Sequence, residues 1–156
     1  MSVEIVPLNE SLVPSVKRLL AGYMNSSSNG VTESETTTTQ LRECEDILYR
    51  FLRNNKSHCY VAKFEQEYVG FIVLSWSFSI SKGYPVLRVD ALYSSPHHRN
   101  KGVGSKLVQY AIGIAIENKA SRLQLETDDE NSPARKLYSN LGFKLIPGKG
   151  LYMAFL

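Results

Sequence analysis

The sequence predicts a mixed α/β (α+β) fold, a mostly antiparallel central sheet flanked by helices. Three observations carry that prediction. Apolar residues recur at helical spacing in some stretches and alternate at strand spacing in others; three strand-like stretches follow one another with only tight turns between them; and helical stretches stand before and after that run. A chain of 156 residues, 43% hydrophobic and 21% charged, is long enough for one compact domain and too short for two comfortable ones, so residues 1–156 are read as a single domain.

The elements follow in order. Val3 to Leu8 reads as a short strand, and Asn9 or Ser11 can cap a helix that carries Leu12, Val16, Leu19, Leu20 and Tyr23 on one face. Residues 25–39, NSSSNGVTESETTTT, are polar and rich in Ser and Thr. They suit a binding lid or a plain connection equally. A helical pattern returns over 40–54 through Leu41, Cys44, Leu48 and Phe51 or Leu52. From Cys59 the period becomes that of strands: CYVAKF, a turn at Glu65-Gln66-Glu67, YVGFIVLSWSF, a turn containing Gly83, then PVLRVDALY. Trp76 and Phe78 alternate on the middle strand and read as core. Gly104, Leu107, Val108, Ala111, Ile114 and Ala115 lay one apolar stripe along the next helix. RLQLET is a strand, Asn131 caps a short helix with Pro133 in its first turn, and Gly142 ends it. Phe143–Ile146 and Leu151–Phe155, joined by PGKG, read as a closing hairpin.

Composition excludes several classes of function. No apolar run approaches the ~18 residues of a membrane span, and the N-terminus has neither a basic region nor an apolar one of the secretory kind; a cytoplasmic protein without a membrane partner is expected. Cys44 and Cys59 are too few for a disulfide framework and form no CxxC pair. The net charge of +3 is mild and the basic residues are interleaved with acids, which argues against nucleic acid as a partner. His97 and His98 lack the spacing and companions of a metal site, and no metal is expected.

The stretch HHRNKGVGSKL, residues 97–107, is the most informative. A P-loop needs G-x-x-x-x-G-K-[ST], and no glycine stands five residues before Gly104. A dinucleotide fingerprint needs G-x-G-x-x-G, and Leu107 stands where its third glycine belongs. What remains is Arg/Gln-x-x-Gly-x-Gly/Ala, filled by Arg99, Gly102 and Gly104 after a strand and at the opening of a helix. Such a turn offers unpaired N–H groups and a helix N-terminus to an anion; by itself it also suits a softened turn with a solvated basic patch.

This pattern resembles the acetyl-CoA motif of the GNAT superfamily of N-acetyltransferases. A second segment, NSPARKLYSNLGF, is similar to that superfamily's Asn-x-x-Ala-x-x-x-Tyr-x-x-x-Gly-Phe at Asn131, Ala134, Tyr138, Gly142 and Phe143. Both motifs fall in the right order, separated by a helix and a strand, and the likeness covers residues 68–155. The resemblance implies a GNAT-like acyl-CoA N-acyltransferase fold, acetyl-CoA as cosubstrate, and transfer to an amine. It implies that Arg99, Asn100, Lys101, Gly102, Val103, Gly104 and Ser105 hold the pyrophosphate, that Leu92, Tyr93 and Ser94 meet the pantetheine arm, and that Asn131, Arg135 and Tyr138 complete the cofactor contacts. It also implies a Leu92 N–H donor to the developing oxyanion and a homodimer through the C-terminal strands.

Acetyl transfer also needs a base and an acid. Tyr138 stands where similar enzymes keep a tyrosine acid; a phenol of ordinary pKa ~10 is protonated at neutral pH. Its other reading is an aromatic packed between helix and sheet. For the base, Asp90 matches the position of a glutamate in polyamine-acetylating relatives, whereas Arg88 stands where histone-acetylating ones carry theirs. By the strand period Arg88, Asp90 and Leu92 share a face, so an Asp90–Arg88 salt bridge competes with a basic role, a water chain is a further route, and Glu126 is the reserve. The acids of ETDDEN, residues 126–131, either draw in a cationic acceptor or form a polar loop. The expected acceptor is a small amine (polyamine, amino acid or aminoglycoside), with protein lysine or an N-terminal amine as the alternative and a non-catalytic acyl-CoA sensor as a rival.

Overall fold

A computed structural model describes residues 2–26, 36–127 and 132–156. These fall into two units, Met1–Glu126 and Thr127–Leu156.

The first unit is built on a five-stranded sheet in the order β1-β2-β3-β4-β5. The elements are β1 (Glu4–Pro7), α1 (Val13–Ser26), α2 (Thr38–Leu52), β2 (Ser57–Phe64), β3 (Glu67–Ser79), β4 (Tyr84–Ser94), α3 (Val103–Glu117) and β5 (Arg122–Leu125). All neighbours run antiparallel except β4 and β5, which are parallel. That single parallel pair follows from α3, which crosses over between them. The expected meander is therefore observed as β2–β3–β4.

Local chemistry explains the element boundaries. Asn9 accepts a hydrogen bond from the Ser11 N–H and starts a 3-10 turn over Glu10–Leu12, which leads into α1 at Val13. α2 begins at Thr38 because Thr37 caps it, its side chain accepting from the Gln40 N–H at 3.1 Å; this is an N-cap that satisfies one of the free amides of the first turn. Asn25 at the end of α1 and Gln40 in α2 exchange two amide hydrogen bonds of 3.0 and 2.8 Å, and Lys17 pairs with Glu45 at 2.8 Å. Residues 27–35, the centre of the Ser/Thr-rich stretch, lie outside the described residues.

Helices cover both faces of the sheet. Val13, Val16 and Leu19 of α1 and Leu48 of α2 pack with Cys59, Val61, Phe71 and Tyr93 in one core cluster. α3 buries Val103, Leu107, Val108, Ala111 and Ala115, and its Tyr110 ring lies 4.9 Å from that of Tyr60. Trp76 is half-buried, but Phe78 is 56% exposed rather than core, since it sits near the end of the β3–β4 hairpin, beyond the helices' reach.

In the second unit α4 spans Ser132–Asn140. Gly142, at φ +91°, closes it: the Gly142 N–H donates to the Ser139 carbonyl and the Phe143 N–H to that of Tyr138 at 3.0 Å. This is a Schellman ending, with Tyr138 and Phe143 at the positions whose side chains meet. The closing hairpin expected over 143–155 is not found: these residues form no strand, and Leu145, Ile146, Leu151, Tyr152, Met153 and Phe155 are exposed. Alternation alone does not make a hairpin, because two short strands paired only with each other bury too little apolar surface to persist.

Candidate active site

The site begins where β4 outruns β5. The parallel ladder joins Val86–Val89 to Arg122–Leu125 and ends there, whereas β4 runs on to Ser94. Leu92, Tyr93 and Ser94 thus line a stretch of β4 that, among the described residues, has no strand beside it on the β5 side.

A register shift reshapes the approach to this stretch. Val73 of β3 faces Ala91, but its neighbour Leu74 faces Val89, so Asp90 is an extra residue with no partner on β3. Such a bulge re-aims the side chains on either side of it. The expectation that Arg88, Asp90 and Leu92 share a face is therefore overturned. Arg88, opposite Ser75, falls on the side of Ala91 and Tyr93, and Leu92, opposite Ile72, falls on the side of Leu87 and Val89. The Arg88–Asp90 salt bridge is not formed either. Arg88 Nη2 instead lies 3.2 Å from Glu126 Oε1, just past β5, while exposed Asp90 has no side-chain hydrogen bond or ion pair among the described residues.

Past Ser94 the chain turns sharply. The Ser95 N–H donates to the Val69 carbonyl at 2.8 Å and the His98 N–H to Ser95 at 2.9 Å, around a 3-10 turn at Pro96–His98. Asn100 and Gly102 then adopt left-handed backbone, φ +62° and +84°, and Gly102 caps α3 without a side chain. The Lys106 N–H closes the first helical bond, onto the Gly102 carbonyl at 3.0 Å. The N–H groups of Val103, Gly104 and Ser105 therefore have no partner within the helix. A Cβ on Gly102 would meet nothing within 4 Å, and free amides at a helix N-terminus suit a phosphate group. Arg99 folds back, its Nε donating to the Ser94 carbonyl at 3.2 Å and its guanidinium lying 5.7 Å from the Tyr93 ring centre. Lys101 is exposed. His98 Nε2 stands 3.6 Å from Glu67 Oε2, which ties the turn to β3.

Gly70 escaped the sequence reading. A Cβ there would come within 2.6 Å of the Tyr93 carbonyl, 3.0 Å of Val103 and 3.3 Å of Ser94; its bareness lets β3, the end of β4 and the start of α3 converge. A lone glycine inside an apolar strand signals such an approach.

Asn131, Asp128, Asp129 and Glu130 lie outside the described residues. In the second unit Arg135 is exposed, and half-buried Tyr138 has its ring 5.8 Å from that of Phe143. Both cysteines are buried. Burial pushes the Cys59 thiol up to about 12 and, with Glu43, raises that of Cys44, so neither supplies a thiolate nucleophile near neutral pH. Among the described residues no three His, Cys, Asp or Glu side chains converge as a metal site, and no helix is long and apolar enough to cross a membrane.

Residues 25–143 match the family described as Acetyltransferase (GNAT) family. The chain belongs to the GNAT family. Among curated GNAT relatives, the uncharacterized N-acetyltransferase YhfO of Bacillus subtilis is 31% identical over 116 residues, 74% of this chain and 78% of that protein. N-alpha-acetyltransferase 30 of Xenopus laevis is 36% identical over 68% of this chain and 38% of its own length. Streptothricin acetyltransferase of Escherichia coli is 34% identical over 57% and 48%. In fold, the chain superimposes on the crystal structure of a ribosomal-protein-alanine N-acetyltransferase from Brucella melitensis with a TM-score of 0.79, at 21% identity and covering 99% of this chain and 100% of that one. GNAT membership thus agrees with the two motifs and with the sheet on which the first of them sits.

Proposed function

We propose that residues 1–156 act as one domain that transfers an acetyl group from acetyl-CoA directly to the primary amine of a small molecule. The observation that carries this reading is the left-handed turn at Asn100–Gly102, which leads into the first-turn amides of α3 just past the end of β4, where among the described residues no strand lies on the β5 side. The cosubstrate supplies an activated acetyl thioester. The amides of Val103, Gly104 and Ser105, with Lys101 as counter-charge, hold its pyrophosphate; Arg99 swings from the Ser94 carbonyl to join them. Leu92, Tyr93 and Ser94 align the pantetheine arm, and the Leu92 N–H donates to the acetyl oxygen as that atom gains charge.

In the transfer the amine nitrogen bonds to the acetyl carbon as the carbon–sulfur bond breaks. The ammonium proton leaves to a carboxylate and the sulfur takes up a proton. Asp90 is free of ion pairs among the described residues and is assigned the first step. Glu126, already engaged by Arg88, is assigned to the acceptor's positive charge. Return of a proton to sulfur is assigned to Tyr138 on the motif match. The similarity to streptothricin acetyltransferase supports a small acceptor; that to N-alpha-acetyltransferase 30 supports the alternative, a peptide N-terminus.

Release of free thiol from acetyl-CoA in the presence of small amines, and its absence with peptides, tests the reading. D90N and Y138F are expected to lower kcat by at least tenfold with little change in KM, and E126Q to raise the KM for the amine. Binding of acetyl-CoA without thiol release on any amine or peptide refutes the enzyme reading in favour of a sensor.

A further inference from the structure

Resting on that reading, we infer that the acceptor is a free α-amino acid, with its carboxylate held by Arg88 and its ammonium by Glu126. The two side chains meet at 3.2 Å where β4 and β5 part company. They are 34% and 55% exposed, and an ion pair so open to water contributes little to stability, which leaves its position where β4 and β5 separate unexplained by folding.

Both partners have capacity to spare. A guanidinium carries five N–H donors and a carboxylate two oxygens, and among the described residues this pair uses one contact, Nη2 to Oε1. The neighbouring groups set the sign of the ligand. Gln124 lies directly across the ladder from Arg88, and Arg122, two residues before it on the same strand face, bonds Gln124 Oε1 at 3.0 Å. Among the described residues, two guanidiniums and one carboxylate therefore share this face, a balance that favours a ligand bringing its own carboxylate over an all-cationic polyamine.

An α-amino acid carries an ammonium and a carboxylate one carbon apart. Laid antiparallel beside the Arg88–Glu126 pair, it puts its carboxylate on the fork of spare guanidinium N–H groups and its ammonium on the free carboxylate oxygen. Charges then alternate around a ring of four groups, each hydrogen-bonded to its neighbours. Amino-acid amides, decarboxylated amines and peptide N-termini lack the adjacent carboxylate and leave Arg88 unsatisfied by the ligand.

The test is thiol release from acetyl-CoA with free amino acids, their amides and the matching decarboxylated amines. The expected result is a kcat/KM at least tenfold higher for the best acid than for its amide or amine. R88Q should shrink that ratio toward one, chiefly through a higher KM for the acid, and R88K, which keeps the charge but loses the fork, should retain part of it. Equal or faster turnover of amides, amines or peptides overturns the inference and leaves the acetyltransferase reading standing, as does an R88Q variant that slows acids and amines by the same factor. Absence of thiol release with every compound, acetyl-CoA being bound, overturns both.

Discussion

Gly70 offers the sharpest test of how the site is assembled. In G70A the new Cβ meets the Tyr93 carbonyl at 2.6 Å and the Val103 side chain at 3.0 Å, against 3.4–4 Å for ordinary contact. Relief requires a movement of roughly 0.8 Å, and one of the opposing atoms is backbone of β4, which cannot rotate away. Overpacking of this kind costs about 1–3 kcal/mol, and for a chain of this length each kcal/mol moves the melting temperature by roughly 2–4 °C. A loss of about 4–8 °C is expected at the middle of that range. Because the displaced atoms belong to the end of β4 and the first residue of α3, acetyl-CoA affinity should fall along with stability. G113A is the matched control: Gly113 is exposed in the middle of α3 with nothing within 4 Å of its Cβ, so alanine gains about 0.5–1 kcal/mol of helix propensity and raises the melting temperature. Thermal unfolding by circular dichroism and calorimetric titration with acetyl-CoA read out both. A G70A protein that melts within about 1 °C of the parent and binds acetyl-CoA equally well would refute the convergence argument.

Three further outcomes are expected. G102A forces a side chain into left-handed backbone at φ +84°, at a cost of roughly 1–2 kcal/mol; it should weaken acetyl-CoA binding in a calorimetric titration, and unchanged affinity would remove the Gly102 turn from the phosphate site. Cys59 keeps its proton in the fold up to about pH 12, against an ordinary 9.0, while the unfolded chain loses it near 9; the folded state then binds more protons, so this group takes away about 1.4 kcal/mol of stability for each pH unit above 9 and nothing below. Urea unfolding of wild type and C59A between pH 8 and 10 should show the wild type losing stability more steeply, and parallel curves would reject the assignment. The exposed Leu151, Met153 and Phe155 are proposed to bury themselves in a homodimer, so light scattering should give twice the chain mass for the parent and the single mass for L151S/F155S.

Much of the fold was legible because periodicity and punctuation agree. The apolar stripe of α3, the alternation of β2 and β3 and the exit at Gly142 are local properties that one stretch of sequence declares. The Thr37 cap, which starts α2 at Thr38, was not legible, because it stands in a run of threonines any of which could have served. The bulge at Asp90 was not legible. Whether one residue or two of β4 oppose Leu74 depends on how two strands pair, and no residue in VLRVDALY announces an interruption of its own alternation. That one slip decides the site's electrostatics, since it parts Arg88 from the face of Leu92 and accompanies its pairing with Glu126 in place of Asp90.

Tyr138 shows how a motif can carry structure and chemistry together. Its carbonyl accepts from the Phe143 N–H, and its ring lies 5.8 Å from that of Phe143, as helix termination at a left-handed glycine requires. The spacing Tyr-x-x-x-Gly-Phe is thus fully accounted for by the end of α4, without reference to the phenol oxygen. A phenylalanine at 138 would satisfy every one of those demands. The hydroxyl is therefore the part that helix termination does not explain, and Y138F, which removes it alone, separates the two roles: an intact melting temperature with a depressed kcat assigns the oxygen to proton transfer, whereas unchanged turnover leaves Tyr138 as the end of a helix.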